Sequence, residues 1–96
     1  MRVDVFGNED CAICASTKRK IEHFLHKWGY KETVDIAFVN MDTVEGMAEG
    51  AFHDVLEIPT TIISADGKAH GRWEGVVPPS EEVRGVLSTC ISRLSG

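Results

Sequence analysis

Apolar and polar positions along the chain fall into runs whose period switches between two and about 3.6. Residues 2–6, "RVDVF", form a short β-rich run. It gives way to "GNED", where a turn glycine precedes two residues suited to cap a helix, Asn8 and Asp10. From Cys11 onward Ile13, Thr17, Ile21, Phe24, Leu25 and Trp28 recur at spacings of three and four and stop at Gly29, which predicts a helix from about Ala12 to Trp28. Residues 33–42, "TVDIAFVNMD", have a nearly continuous apolar centre, the pattern of a strand covered on both faces. In "TVEGMAEGAFHDVLE" an apolar stripe of Val44, Met47, Ala48, Ala51, Phe52, Val55 and Leu56 suits a second helix. Gly46 and Gly50 cost that helix about 1 kcal/mol each relative to Ala, so it is expected to be short or irregular.

"IPTTIISADGKAHGRWEG" reads as two strands joined by a hairpin at Asp66-Gly67. After Pro78-Pro79, Ser80 with Glu81 and Glu82 opens a last helix whose buried stripe is Val83, Val86, Leu87, Cys90, Ile91 and Leu94. The order is β-α-β-α-β-β-α, a crossover unit followed by a hairpin and a closing helix. Such an order packs as an α/β fold with a central mixed sheet and helices on both faces.

Composition narrows the function. A chain of 96 residues suits one domain, 1–96, and 43% apolar with 26% charged residues is ordinary for a globular protein. The net charge of −5 argues against nucleic acid or an anionic membrane surface as partner, and the one basic cluster, Lys18-Arg19-Lys20, reads as a solvated helix face. Residues 1–6 lack the features of a signal peptide, and no apolar run approaches a membrane span, so a cytoplasmic location is expected. Three cysteines in such a chain do not make a disulfide framework; each needs a role of its own.

Cys11 and Cys14 carry the chemistry. Residues i and i+3 of a helix have β-carbons roughly 5 to 6 Å apart, a separation that a disulfide tolerates. Cys11 stands at the start of the predicted helix, where unpaired N–H groups and the dipole favour a thiolate, so it is the expected nucleophile. Cys14, one turn deeper, is the expected resolving thiol. Glu9 and Asp10 oppose the thiolate, Lys18 favours it from farther away, and the direction of electron flow stays open.

A metal site is the competing use of these thiols. Cys11, Cys14, His23 and His26 resemble two ligand pairs, but on one helix Cys14 and His23 are roughly 13 Å apart along the axis, beyond a common ion. A site shared between two molecules, or one recruiting Cys90, stays open, as does a pair of inert thiols. Cys90 itself falls on an apolar stripe and is expected in the core. His23, His26, His53 and His70 are expected on the surface.

With these motifs in place the chain resembles the thioredoxin superfamily over nearly all its length. "VDVFGNEDCAIC" and its helix are similar to glutaredoxins in having one short strand directly before the motif, while "EIPTTIISADGKAHGRWEG" resembles the Ile-Pro-Thr segment, hairpin and late glycine of thioredoxins. The resemblance implies a thioredoxin fold of glutaredoxin size with a four-stranded mixed sheet. It implies a cis bond at Ile58-Pro59, an extended substrate pairing with Ile58 beside Cys11, and Gly75 lining the same groove. The implied activity is thiol–disulfide exchange on protein disulfides by a monomer that needs no cofactor and is recharged by a reductase for dithiol redoxins. The segments with which glutaredoxins hold glutathione are absent. Asp4 lies near the place of the buried acid of thioredoxins, with a loop that differs by one residue. A different class of function, a thioredoxin-fold adaptor or metal carrier without redox turnover, is the alternative.

Overall fold

The computed structural model describes residues 1–95, with side chains through Ser92. Strand β1 (Arg2–Gly7) leads through helix α1 (Ala12–Lys27) to β2 (Asp35–Asn40), then α2 (Val44–Phe52), the hairpin β3 (Thr60–Ala65) and β4 (Lys68–Glu74), and α3 (Ser80–Ser95). The sheet order is β2-β1-β3-β4, with β1 parallel to β2 and antiparallel to β3, and β3 antiparallel to β4. Element order, mixed sheet and flanking helices are those expected from the sequence.

Side-chain alternation divides the core between the two sheet faces. Val3 pairs in register with Ile36 and Ile63. With Val5 it packs against Ile21 and Leu25 of α1 and Val83 and Leu87 of α3. Each such burial is worth about 1.5–3 kcal/mol, so this cluster dominates the fold's stability. On the opposite face Phe6 meets Ile62 and Val55, with Val39 and Met41 packed alongside. Both hairpin residues, Asp66 (φ 54°) and Gly67 (φ 76°), have positive φ, the backbone of a two-residue turn matched to strand twist.

Four sequence-based expectations are corrected. The cap of α1 is Cys11, not Asn8 or Asp10: the Cys11 N–H donates to the Asn8 carbonyl (3.3 Å), and this turn delays the helix to Ala12. On α1 the buried stripe is Cys14, Thr17, Ile21 and Leu25, and Ile13 is exposed. β2 is an edge strand with half-buried residues, because β1 and β3 take the sheet's centre.

The largest correction concerns α2. Val55, which follows the helix, is buried as expected, but Val44, Met47, Phe52 and Leu56 are exposed, and the helix buries Gly46 and Gly50 instead. A β-carbon on Gly46 would overlap the Asn40 carbonyl, and one on Gly50 would overlap the end of Met41. The glycines let α2 lie close on β2, and proximity at those two positions turns the apolar stripe outward. Cys90 is buried, as expected; the side chain of Leu94 lies outside the described residues.

Candidate active site

Strand register brings the candidate residues to one end of the sheet. Phe6, near the end of β1, is opposite Thr60, the first residue of β3, and Thr60 is opposite Glu74, the last of β4. The segments just beyond these positions therefore emerge together: residues 7–11 running into α1, Ile58-Pro59 entering β3, and Gly75 leaving β4.

Cys11 and Cys14 form a disulfide, with Cα atoms 5.2 Å apart. Cys11 has extended backbone (φ −95°, ψ 103°) and caps α1 with its sulfur: Sγ accepts the Cys14 N–H at 3.1 Å. A thiolate there would receive the same donor together with the positive end of the helix dipole. The two sulfurs differ in access, since Cys11 is partly exposed and Cys14 fully buried.

What buries Cys14 is the end of β1. A β-carbon on Gly7 would stand 2.6 Å from both Cβ and Sγ of Cys14 and 3.3 Å from Phe38 Cζ. Gly7 thus does more than turn the chain: its bare α-carbon lets α1 seat the inner cysteine against the sheet. In the sequence the only signal is a glycine at a strand end four residues before the first cysteine, which predicts a turn and not a contact with Cys14.

The Ile58-Pro59 bond is cis. Pro59 is buried, and its carbonyl accepts the Gly75 N–H at 2.8 Å, which ties the β4 exit to the proline. Thr60 Oγ1 donates to the Glu57 carbonyl (2.6 Å) and fixes the turn on the other side of the proline. Ile58 is half-exposed, and among the described residues its backbone N–H and C=O meet no partner. Gly75 has φ 71° and is exposed, leaving open backbone beside Ile58. Ile13, between the two cysteines, and Val76, directly after Gly75, add exposed apolar surface.

Arg72 on β4 braces the approach to this segment. Its Nη1 donates to the His53 carbonyl, its Nη2 to the Asp54 carbonyl at 2.8 Å, and its Nε to Glu74 Oε1 at 2.8 Å. One guanidinium therefore closes the C-terminal end of α2 and fixes where the 53–58 segment begins. An Arg two residues before a Glu on a strand was a signal for the ion pair, but not for the carbonyls of another element.

Asp4 is not beside the cysteines. It alternates onto the sheet face opposite α1, next to Ala37 and Ile62, where Oδ1 accepts from Arg2 Nε at 2.7 Å. That hydrogen bond, with the attendant charge attraction, raises the Arg2 pKa above its ordinary value. Val5 and Gly7 take the α1 side instead. His23 and His26 lie exposed toward the far end of α1, and among the described residues no three His, Cys, Asp or Glu side chains gather as a metal site. No described helix is long and apolar enough to cross a membrane.

No protein-family model and no curated protein sequence matches the chain. Solved structures do. Thioredoxin 1 from Thermosipho africanus superposes with a TM-score of 0.76 over 100% of both chains at 20% identity. A thioredoxin from Trypanosoma brucei brucei reaches 0.72 at 26% identity, over 95% of this chain and 74% of that one. A Fasciola hepatica thioredoxin gives 0.70 at 24% identity, over 93% and 79%. With its element order, sheet topology and cysteine pair, the chain is a thioredoxin-fold protein whose CxxC pair at the head of the first helix fits a thioredoxin-like redoxin.

Proposed function

We propose that the chain is a thiol–disulfide oxidoreductase that reduces disulfides of partner proteins by a dithiol mechanism, acting as a single, monomeric domain in the cytoplasm. The observation that carries this reading is the asymmetry of the pair: Cys11 is accessible and caps α1 with its sulfur, while Cys14 is fully buried directly behind it.

In the reduced protein the Cys11 thiolate attacks one sulfur of the partner's disulfide. The partner's S–S bond breaks, a Cys11–partner disulfide forms, and the partner's other sulfur leaves as a thiolate that takes a proton. Cys14, deprotonated, then attacks Cys11 Sγ. The mixed disulfide breaks, the Cys11–Cys14 bond forms, and the second partner thiolate departs. Of the two protons that the partner's thiols take up, one comes from Cys14 and one from solvent, and two electrons have passed to the partner. A dithiol reductase returns them to the protein.

The open backbone of Ile58 supports an extended partner segment pairing at this point, as a strand adds to an unpaired edge. Pro59 and Gly75 would form the wall of that groove. The exposed Ile13 and Val76 suit a protein partner better than a small polar one.

The test is trapping. Cys14→Ser should accumulate a covalent Cys11–partner adduct on a model protein disulfide, resolved by non-reducing electrophoresis and peptide mapping. Cys11→Ser should form none and should lose turnover. Full activity of the Cys11→Ser protein would remove Cys11 as nucleophile, and inactivity of the unaltered protein on every disulfide offered would favour an adaptor or metal carrier.

A further inference from the structure

Glu57, an exposed residue, lies beside the Gly75 edge of the groove just described. It immediately precedes Ile58, and its side chain reaches across to β4: a β-carbon on Gly75 would overlap Glu57 Oε2 and lie 3.4 Å from Cδ and 3.9 Å from Cβ. The carboxylate therefore rests on the bare α-carbon of Gly75, the residue whose N–H bonds the Pro59 carbonyl. Its own main chain is fixed by the bond from Thr60 Oγ1.

Among the described residues no cation and no N–H donor meets the Glu57 side chain. Arg72, on the strand that leads to Gly75, is fully engaged by two carbonyls and Glu74. The residues leading into Cys11, Glu9 and Asp10, are exposed and negative as well.

We infer that Glu57 is a specificity-determining residue: lying on Gly75 at the edge of the groove, it selects disulfide partners that carry a basic side chain beside the attacked cysteine. This rests on the oxidoreductase reading. A partner segment laid against Ile58 must pass the carboxylate, where a Lys or Arg gains an ion pair and an Asp or Glu meets like charge. A partly solvated pair of this kind is worth up to about fivefold in rate or affinity.

The test uses two short peptides, each with one cysteine flanked on both sides by Arg or by Glu, joined as mixed disulfides to thionitrobenzoate. Attack by the pre-reduced full-length protein forms a Cys11–peptide disulfide and expels the coloured thiolate, whose release gives the rate. Each rate is divided by that of dithiothreitol on the same peptide, which removes the peptides' intrinsic difference in reactivity. The expected normalised preference for the Arg peptide is about fivefold at low salt. Glu57→Gln should lower it at least twofold, and Glu57→Lys should reverse it. A preference that is identical in all three proteins overturns the inference while the oxidoreductase reading stands. Release no faster than from the Cys11→Ser protein, with either peptide, overturns both.

Discussion

Replacing Gly7 by Ala adds one methyl group at the tightest point behind the cysteine pair. In the structure that carbon would sit 2.6 Å from Cys14 Cβ and Sγ and 3.3 Å from Phe38 Cζ, against an optimal carbon contact of about 3.5–4.0 Å. Roughly 1 Å must be found by moving the start of α1 or the end of β1. Cys14 Cβ cannot swing away, because it is one bond from the helix backbone. Overpacking of this kind costs about 1–3 kcal/mol. For a domain of this size about 2 kcal/mol lowers Tm by roughly 8–16 °C. The same substitution at Gly85, where nothing lies within 4 Å of the added carbon, removes a flexible residue from α3 and should stabilise by about 0.5–1 kcal/mol. Urea denaturation of both variants, with the cysteines oxidised and again reduced, measures the contrast. A Gly7→Ala protein as stable as the parent, beside a Gly85→Ala protein that behaves as stated, would refute the close approach of β1 to Cys14.

Two further predictions concern α2 and its end. Leu56→Gln should change stability by less than about 0.5 kcal/mol because Leu56 is 93% exposed, whereas Val55→Ala, at 8% exposure, should cost about 2 kcal/mol; thermal melts that reverse this order would contradict the placement of these two neighbours just after α2. Arg72→Ala should cost about 1–2 kcal/mol and speed amide exchange over residues 53–57, and Arg72→Lys should recover less than half of the loss, because an ammonium cannot serve two carbonyls and Glu74 in one fork. Unchanged exchange in Arg72→Ala would show that this side chain does not hold the segment.

What the sequence disclosed was mostly local. Asp66-Gly67 demanded positive φ at two successive residues, and a hairpin is the structure that uses it. The period of α1 and the spacing of Cys11 and Cys14 together placed one sulfur at the helix start and the other one turn inside. The chain's pattern also ordered the seven elements correctly.

Long-range proximity was hidden. The apolar stripe of α2 faces outward because closeness, not hydrophobicity, orients the helix: Gly46 and Gly50 cost helix propensity locally, yet they permit the approach to Asn40 and Met41. Gly7 looked like a turn residue because its neighbour, Cys14, is supplied by the next element. Arg72 and Glu57 act on carbonyls and a glycine from other segments, partners that no spacing along the chain reveals. Asp4 lay one residue off the register that would have turned it toward α1, and in a strand one residue changes the face.

If Cys11 and Cys14 exchange electrons as a pair, they share one redox equilibrium. Equilibrating the purified, metal-free protein in a series of dithiothreitol redox buffers, then alkylating and locating the modified cysteines by mass spectrometry, tests it most directly. One reversible two-electron transition is expected, about 30 mV per tenfold change in the redox ratio, that links Cys11 to Cys14 and leaves the buried Cys90 a thiol throughout. No such transition, or thiols that resist alkylation only while a metal is present, would contradict it.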